Sequence, residues 1–213
     1  MTNGIPDRRT AESRPEPQPS PTRAFAAAVS EVCAPAVLVS LFLVLAASRS
    51  AEWPEGIVYS LVSVGFTTAL PLAGVLLLVR RGHVSDHHIS DRRQRAPILA
   101  GSLVSIAAGL ALLVLLDAPG IVIAAVLCTV GGVVAVLVAN LWWKLSAHSA
   151  VAVFVVFGAV SLLGPWGLVL IVVPAAVGWA RVALHAHTAA QVIAGYAVGA
   201  VIGAAFVLSV ARP

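Results

Sequence analysis

Charged side chains are scarce in this sequence. Asp, Glu, Lys and Arg make up 10% of its 213 residues, where a soluble domain carries about a quarter. With 60% apolar residues and a mean hydropathy of +0.99, that scarcity excludes a water-soluble globular enzyme, a disordered chain and a nucleic-acid binder. Cysteine is nearly absent as well. Cys33 and Cys128 both lie inside apolar runs, which excludes a disulfide framework. The net charge of +4 rests on few groups, so their placement matters more than their sum. What the chain has in abundance is long apolar runs, the mark of an integral membrane protein.

A helix needs about 20 apolar residues to cross a hydrocarbon core of roughly 30 Å. Residues 1–23 hold five prolines, four arginines and three acids and read as a disordered cytoplasmic tail. Residues 24–213 read as one membrane domain. Its candidate spans are 24–48, 57–79, 97–116, 120–143, 149–164, 166–184 and 188–211, an all-α polytopic bundle of six to seven helices. Breaks fall at Trp53-Pro54-Glu55-Gly56, Asp117-Ala118-Pro119-Gly120 and Gly164-Pro165-Trp166-Gly167, all turn signals. Glu31 and Pro35 blur the start of the first span. Gly195, Gly199 and Gly203 form a groove on the last span that lets another helix approach closely.

Seven spans bring the polar stretches 80–96, 144–148 and 181–187 to one membrane face, together with the tail. All six histidines (His83, His87, His88, His148, His185 and His187) fall there, as do 11 of the 13 Lys and Arg residues. Only Arg49 and Arg212 lie opposite. Basic residues near span ends favour the cytoplasm, so the histidine face is expected to be cytoplasmic, in a bacterial-type plasma membrane. His83 and His185 read as interfacial, and Arg80 and Arg81 as topology signals. Trp53, Trp166 and Trp179, like the pair Trp142-Trp143, suit an interface belt.

Three polar motifs follow one another on that face. The first is Asp86-His87-His88-Ile89-Ser90-Asp91-Arg92-Arg93-Gln94-Arg95-Ala96-Pro97, and the second Lys144-Leu145-Ser146-Ala147-His148-Ser149. The third is Ala180-Arg181, five residues, His187, three residues, then Gln191. In this order they resemble the type-2 phosphatidic acid phosphatase superfamily, the membrane lipid phosphate phosphatases related in fold to the vanadium haloperoxidases. That family's pattern is K-x6-R-P, then P-S-G-H, then S-R-x5-H-x3-D. Arg95, Ser146, His148, Arg181 and His187 match it. His88 stands for the lysine, Ala96 for the first proline, Leu145 and Ala147 for Pro and Gly, Ala180 for Ser, and Gln191 for Asp.

The resemblance implies a fold and a reaction. His187 attacks phosphorus, His148 protonates the leaving oxygen and then activates water, and no metal or other cofactor takes part. Phosphoryl transfer asks a protein mainly to position the phosphate and stabilise its charge. Arg95 and Arg181 suit that task through planar paired donors. His88, Ala147, Arg92 and Lys144 complete the expected phosphate site, although Arg92 and Arg93 equally suit lipid-headgroup anchors. Ser146 and Thr188 read as helix N-caps that aim backbone N–H groups at an anion.

The departures have chemical consequences. Gln191 lies one helical turn beyond His187 and can hold the imidazole, but supplies no negative charge. Asp86 or Asp91 is a candidate substitute. His88 in place of lysine makes that charge pH-dependent, which favours mildly acidic conditions. The expected partners are the bilayer and a lipid phosphate or prenyl phosphate, with no nucleic acid; a homo-oligomer stays open. A non-catalytic lipid or prenyl phosphate binder or transporter is the alternative. A His-rich metalloenzyme is a weaker one, because the paired histidine boxes such enzymes use are missing.

Overall fold

The computed structural model describes residues 20–81 and 92–211, with side chains described for 20–81 and 101–211. Among these residues the chain is all helical, with no strand. Helix α1, Pro21–Val32, starts inside the stretch expected to be tail. The cause is local: Ser20 caps it by accepting the N–H of Arg23 at 3.4 Å, and Pro21 suits a first helical position. The tail before Ser20 lies outside the described residues. Helix α2, Pro35–Ser50, continues from α1 with a bend of 41°, since Pro35 cannot carry the hydrogen-bond ladder across the break.

Helix α3, Glu55–Val64, runs through a π-helical segment, Gly65–Ala69, into α4, Leu70–Arg80. The π segment sits just before Pro71. Leu70 donates to the Gly65 carbonyl, so the next donor in that register would be position 71, which as proline has none. The Phe66 carbonyl is satisfied instead by Ser105 Oγ at 2.8 Å, from helix α5, Arg92–Leu115. Helix α6, Gly120–Ala139, follows, then α7, Ala147–Leu163. A 3-10 segment, Gly164–Ile171, leads into α8, Val172–Ala183, and α9, Ala189–Val210, closes the chain.

Four helical runs are long and apolar enough to cross a membrane: 55–80, 120–139, 147–183 and 189–210; the bent pair α1–α2 makes a fifth. Two features separate this from the six to seven expected spans. The described apolar part of α5, Gly101–Leu115, is short, and the fifth and sixth expected spans merge into the single run 147–183. That run is not a straight rod. As a continuous helix its 37 residues would extend about 55 Å, yet Lys144 Nζ donates to the Ala186 carbonyl at 3.0 Å, so its two ends meet. The reversal falls at Gly164, whose φ of +63° suits glycine. The returning 3-10 segment packs tightly on α7, where a Cβ at Gly167 would lie 2.5 Å from the Val160 nitrogen.

The core is an aromatic cluster joining α2, α7 and α9. Phe42 meets Phe154 and Phe206 edge-on at centroid separations of 4.9 and 5.2 Å, a favoured geometry. Gly158 gives the Phe42 ring its room. Helix α9 lies against α7 along the glycine stripe: Gly195 faces Ser146 and Ser149, Gly199 faces Ala150, and Gly203 faces Phe157. The helix that uses the expected groove is therefore α7 of the same chain. Large apolar side chains cover the outside, among them Leu61, Val104 and Val201. With the apolar runs, this exposure identifies an integral membrane protein.

Candidate functional site

The third motif is held by the C-terminal turn of α8. His185 takes a left-handed φ of 55° and turns the chain so that the N–H groups of Ala186 and His187 both reach the Arg181 carbonyl, at 3.1 and 3.2 Å. This is helix-end capping of the Schellman kind. It gives the six-residue interval between Arg181 and His187 a structural cause. Thr188 then caps α9, accepting the Gln191 N–H at 3.3 Å while Gln191 Oε1 accepts the Thr188 N–H at 3.1 Å. The capping box sets His187 immediately ahead of a helix N-terminus.

The second motif meets the third directly. Ser146 caps α7, its Oγ accepting from the Ser149 N–H at 3.3 Å and from Ser149 Oγ at 2.9 Å. Its own N–H donates to the Gln191 carbonyl at 3.4 Å. Ser146 and Ser149 are both fully buried, so the Ser146 hydroxyl works on the backbone turn. Ala147 and His148 occupy the first turn of α7 and are half-buried; the first N–H groups of a helix have no intrahelical acceptor. Asn140 braces the approach, accepting the Leu145 N–H at 2.9 Å, and leaves the exposed Lys144 arched over the 184–188 turn to reach Ala186.

Arg181 is steered from the other side. Its guanidinium donates through Nη1 to Ser30 Oγ at 2.9 Å, and Ser30 is buried on α1. Nothing in the sequence pointed to Ser30, which lies 151 positions away. Ser149 was also missed as a brace, although a serine three residues beyond an N-cap is a readable signal.

His187 titrates below the ordinary histidine value of 6.5. Burial is the main cause, followed by the positive charges of Arg181 and Lys144, while a hydrogen bond with the Gln191 side chain acts in the opposite direction. These causes favour the neutral imidazole over the protonated one. Its Nδ1 and the Arg181 Nε are buried without a protein partner. Such groups are met by ordered water, an ion or a ligand, or serve a specific function.

The structure thus brings Lys144, Ser146, Ala147, His148, Arg181, His187 and Gln191 to the meeting point of α7, α8 and α9. Arg92 and Arg95 lie in the first turns of α5; their side chains, and the whole of His83, Asp86, His87, His88 and Asp91, fall outside the described residues. His185 is exposed, and Glu31 is exposed near the end of α1. Among the described residues no three His, Cys, Asp or Glu side chains gather. Comparison with protein-family models, curated proteins and solved structures finds no match for this chain.

Proposed function

We propose that this protein is a membrane lipid phosphate phosphatase acting through a phosphohistidine on His187. The observation that carries this reading is the placement of a depressed-pKa histidine beside Arg181 and Lys144. Two capped helix N-termini adjoin it, and the His187 Nδ1 and Arg181 Nε there make no hydrogen bond within the protein. Cations and helix N-termini favour a bound phosphate. In the proposed reaction a neutral His187 nitrogen forms a bond to phosphorus as the P–O bond to the lipid breaks. His148, protonated, gives its proton to the leaving alkoxide. It then takes a proton from water, which attacks phosphorus, breaks the N–P bond and releases inorganic phosphate. Arg181 and Lys144 neutralise the phosphoryl oxygens throughout, with Arg95, Arg92 and His88 as proposed contributors from the first motif.

The proposed substrate is a phosphomonoester or diphosphate of a prenyl or glycerolipid. Seven crossings are proposed for the chain, with the doubled-back run 147–183 counted as two and α5 as one. The basic face is then cytoplasmic by the distribution of Lys and Arg. Gln191, neutral and engaged in the capping box, favours a second reading, a relative that binds or moves the lipid without hydrolysis. Phosphate release by the detergent-purified protein from prenyl phosphates and phosphatidate, with EDTA throughout and His187→Ala as control, separates the two. Release that the substitution abolishes supports hydrolysis. No release above the variant from any substrate supports binding or transport.

A further inference from the structure

An apolar cavity of about 430 Å³ lies inside the bundle, next to the first turn of α7. Its wall is nearly all carbon and includes Val39, Val75, Ile106, Val133 and Val151. Ala147 and Ala150, which flank His148 and Ser149 on α7, form its end nearest the candidate site. A second space of about 230 Å³ shares Pro71, Val75 and Ser102 with it and lies between α4 and α5. There Gly74 and Gly101 line the gap, and a side chain added at either would meet nothing within 4 Å. Helix α4 buries none of its residues, so this side of the bundle is loosely closed.

We infer that the cavity holds a single hydrocarbon chain of the lipid, which enters sideways between α4 and α5. The inference rests on the phosphatase reading for the position of the headgroup. Continuity argues for it: one alanine, Ala147, belongs both to the first turn of α7 at the proposed phosphate site and to the cavity wall, so a lipid with its phosphate at His187 has its chain led into the space below. The surroundings argue for it too, because α4 carries the exposed leucines Leu72, Leu76 and Leu77 beside the gap, the kind of surface a membrane protein turns to lipid. The volume lies at the lower end of the roughly 300–1,000 Å³ of ligand pockets. One chain fills it, and a second chain of a diacyl lipid stays outside in the bilayer. Single-chain phosphates, prenyl or lysolipid, are therefore preferred over diacyl ones.

The test uses a hexadecyl phosphonate carrying a mid-chain diazirine, irradiated with the full-length protein in nanodiscs and mapped by peptide mass spectrometry. Adducts are expected on Val75, Ile106 and Val133. The Gly74→Leu/Gly101→Leu double variant, whose new side chains enter open space, should lower them about tenfold, as losing about two buried methylenes does. Adducts spread over outward residues such as Leu61, Val104 and Val201, or unchanged in the double variant, would overturn the inference. Release of inorganic phosphate from hexadecyl phosphate, measured on the same protein preparations without the phosphonate, separates the two claims. Release with scattered adducts refutes the chain slot and leaves the phosphatase standing. Cavity adducts without release keep the slot and refute the phosphatase.

Discussion

The backbone N–H of Ser146 donates to the carbonyl oxygen of Gln191 at 3.4 Å, joining the N-cap of α7 to the first turn of α9. The bond is reachable because Gly195, one turn further along α9, has no side chain. A Cβ there would lie 2.6 Å from the Ser146 carbonyl oxygen and 2.9 Å from Ser149 Cβ. Gly195→Ala is therefore expected to destabilise the protein by about 1–3 kcal/mol, the usual cost of overpacking, and to lower phosphate release. Gly131→Ala, in α6 where nothing stands within 4 Å, should stabilise by up to about 1 kcal/mol. Thermal unfolding in detergent compares the two.

The Ser30–Arg181 contact predicts a graded effect on substrate affinity. Arg181→Ala removes the guanidinium proposed to hold the phosphate and should cost about 10²-fold or more in kcat/KM. Ser30→Ala leaves the charge but frees its direction, which should raise KM about 3–10-fold, the equivalent of one hydrogen bond, with little change in kcat. Ser30→Thr, which keeps the hydroxyl, should recover most of the loss. Steady-state kinetics on one lipid phosphate reads all three.

The depressed pKa of His187 sets the direction of the pH dependence. In the proposed reaction the neutral imidazole is the nucleophile, so the acid limb of kcat/KM is expected below 6.5, the ordinary value from which this group is lowered. Lys144→Ala removes one of the positive charges that lower it, so the limb moves to higher pH. Gln191→Glu keeps a residue that completes the capping box and adds a negative charge beside the ring. It too should move the limb up. For stability the sign is the same as for any histidine held neutral: the unfolded chain binds the extra proton first, so this contribution is lost as pH falls through 6.5 and below.

His185 holds a left-handed φ of 55° while exposed to solvent, a conformation that costs a non-glycine residue about 1–2 kcal/mol. His185→Gly should raise the unfolding temperature or leave it unchanged and preserve activity. A large loss of activity would assign the imidazole a chemical role.

Much of this arrangement was readable from the chain because it is local. Ser146 and Thr188 announce their caps by residue type and by the Gln three positions after Thr188. The spacing of Arg181 and His187 is that of a helix end and its turn. The glycine stripe foretold a close helix contact, though not that α7 supplies it. The rest depends on distant pairings or on backbone detail. Ser30 reaches Arg181 across most of the chain, with no pattern at either residue to link them. The start of α1 hung on a Ser-Pro pair inside a proline-rich tail. The π segment before Pro71 and the 3-10 return after Gly164 both sit in apolar runs, where hydropathy reports length but not how the backbone is wound.

Trapping the covalent intermediate tests the central claim most directly. Wild-type protein is mixed with phosphorus-labelled lipid phosphate, quenched within one turnover in alkali, where phosphohistidine survives, and digested. One phosphoryl group on His187, absent from His187→Ala, is the expected result. No covalent phosphate, or phosphate on any other residue while inorganic phosphate is still released, would contradict a His187 nucleophile.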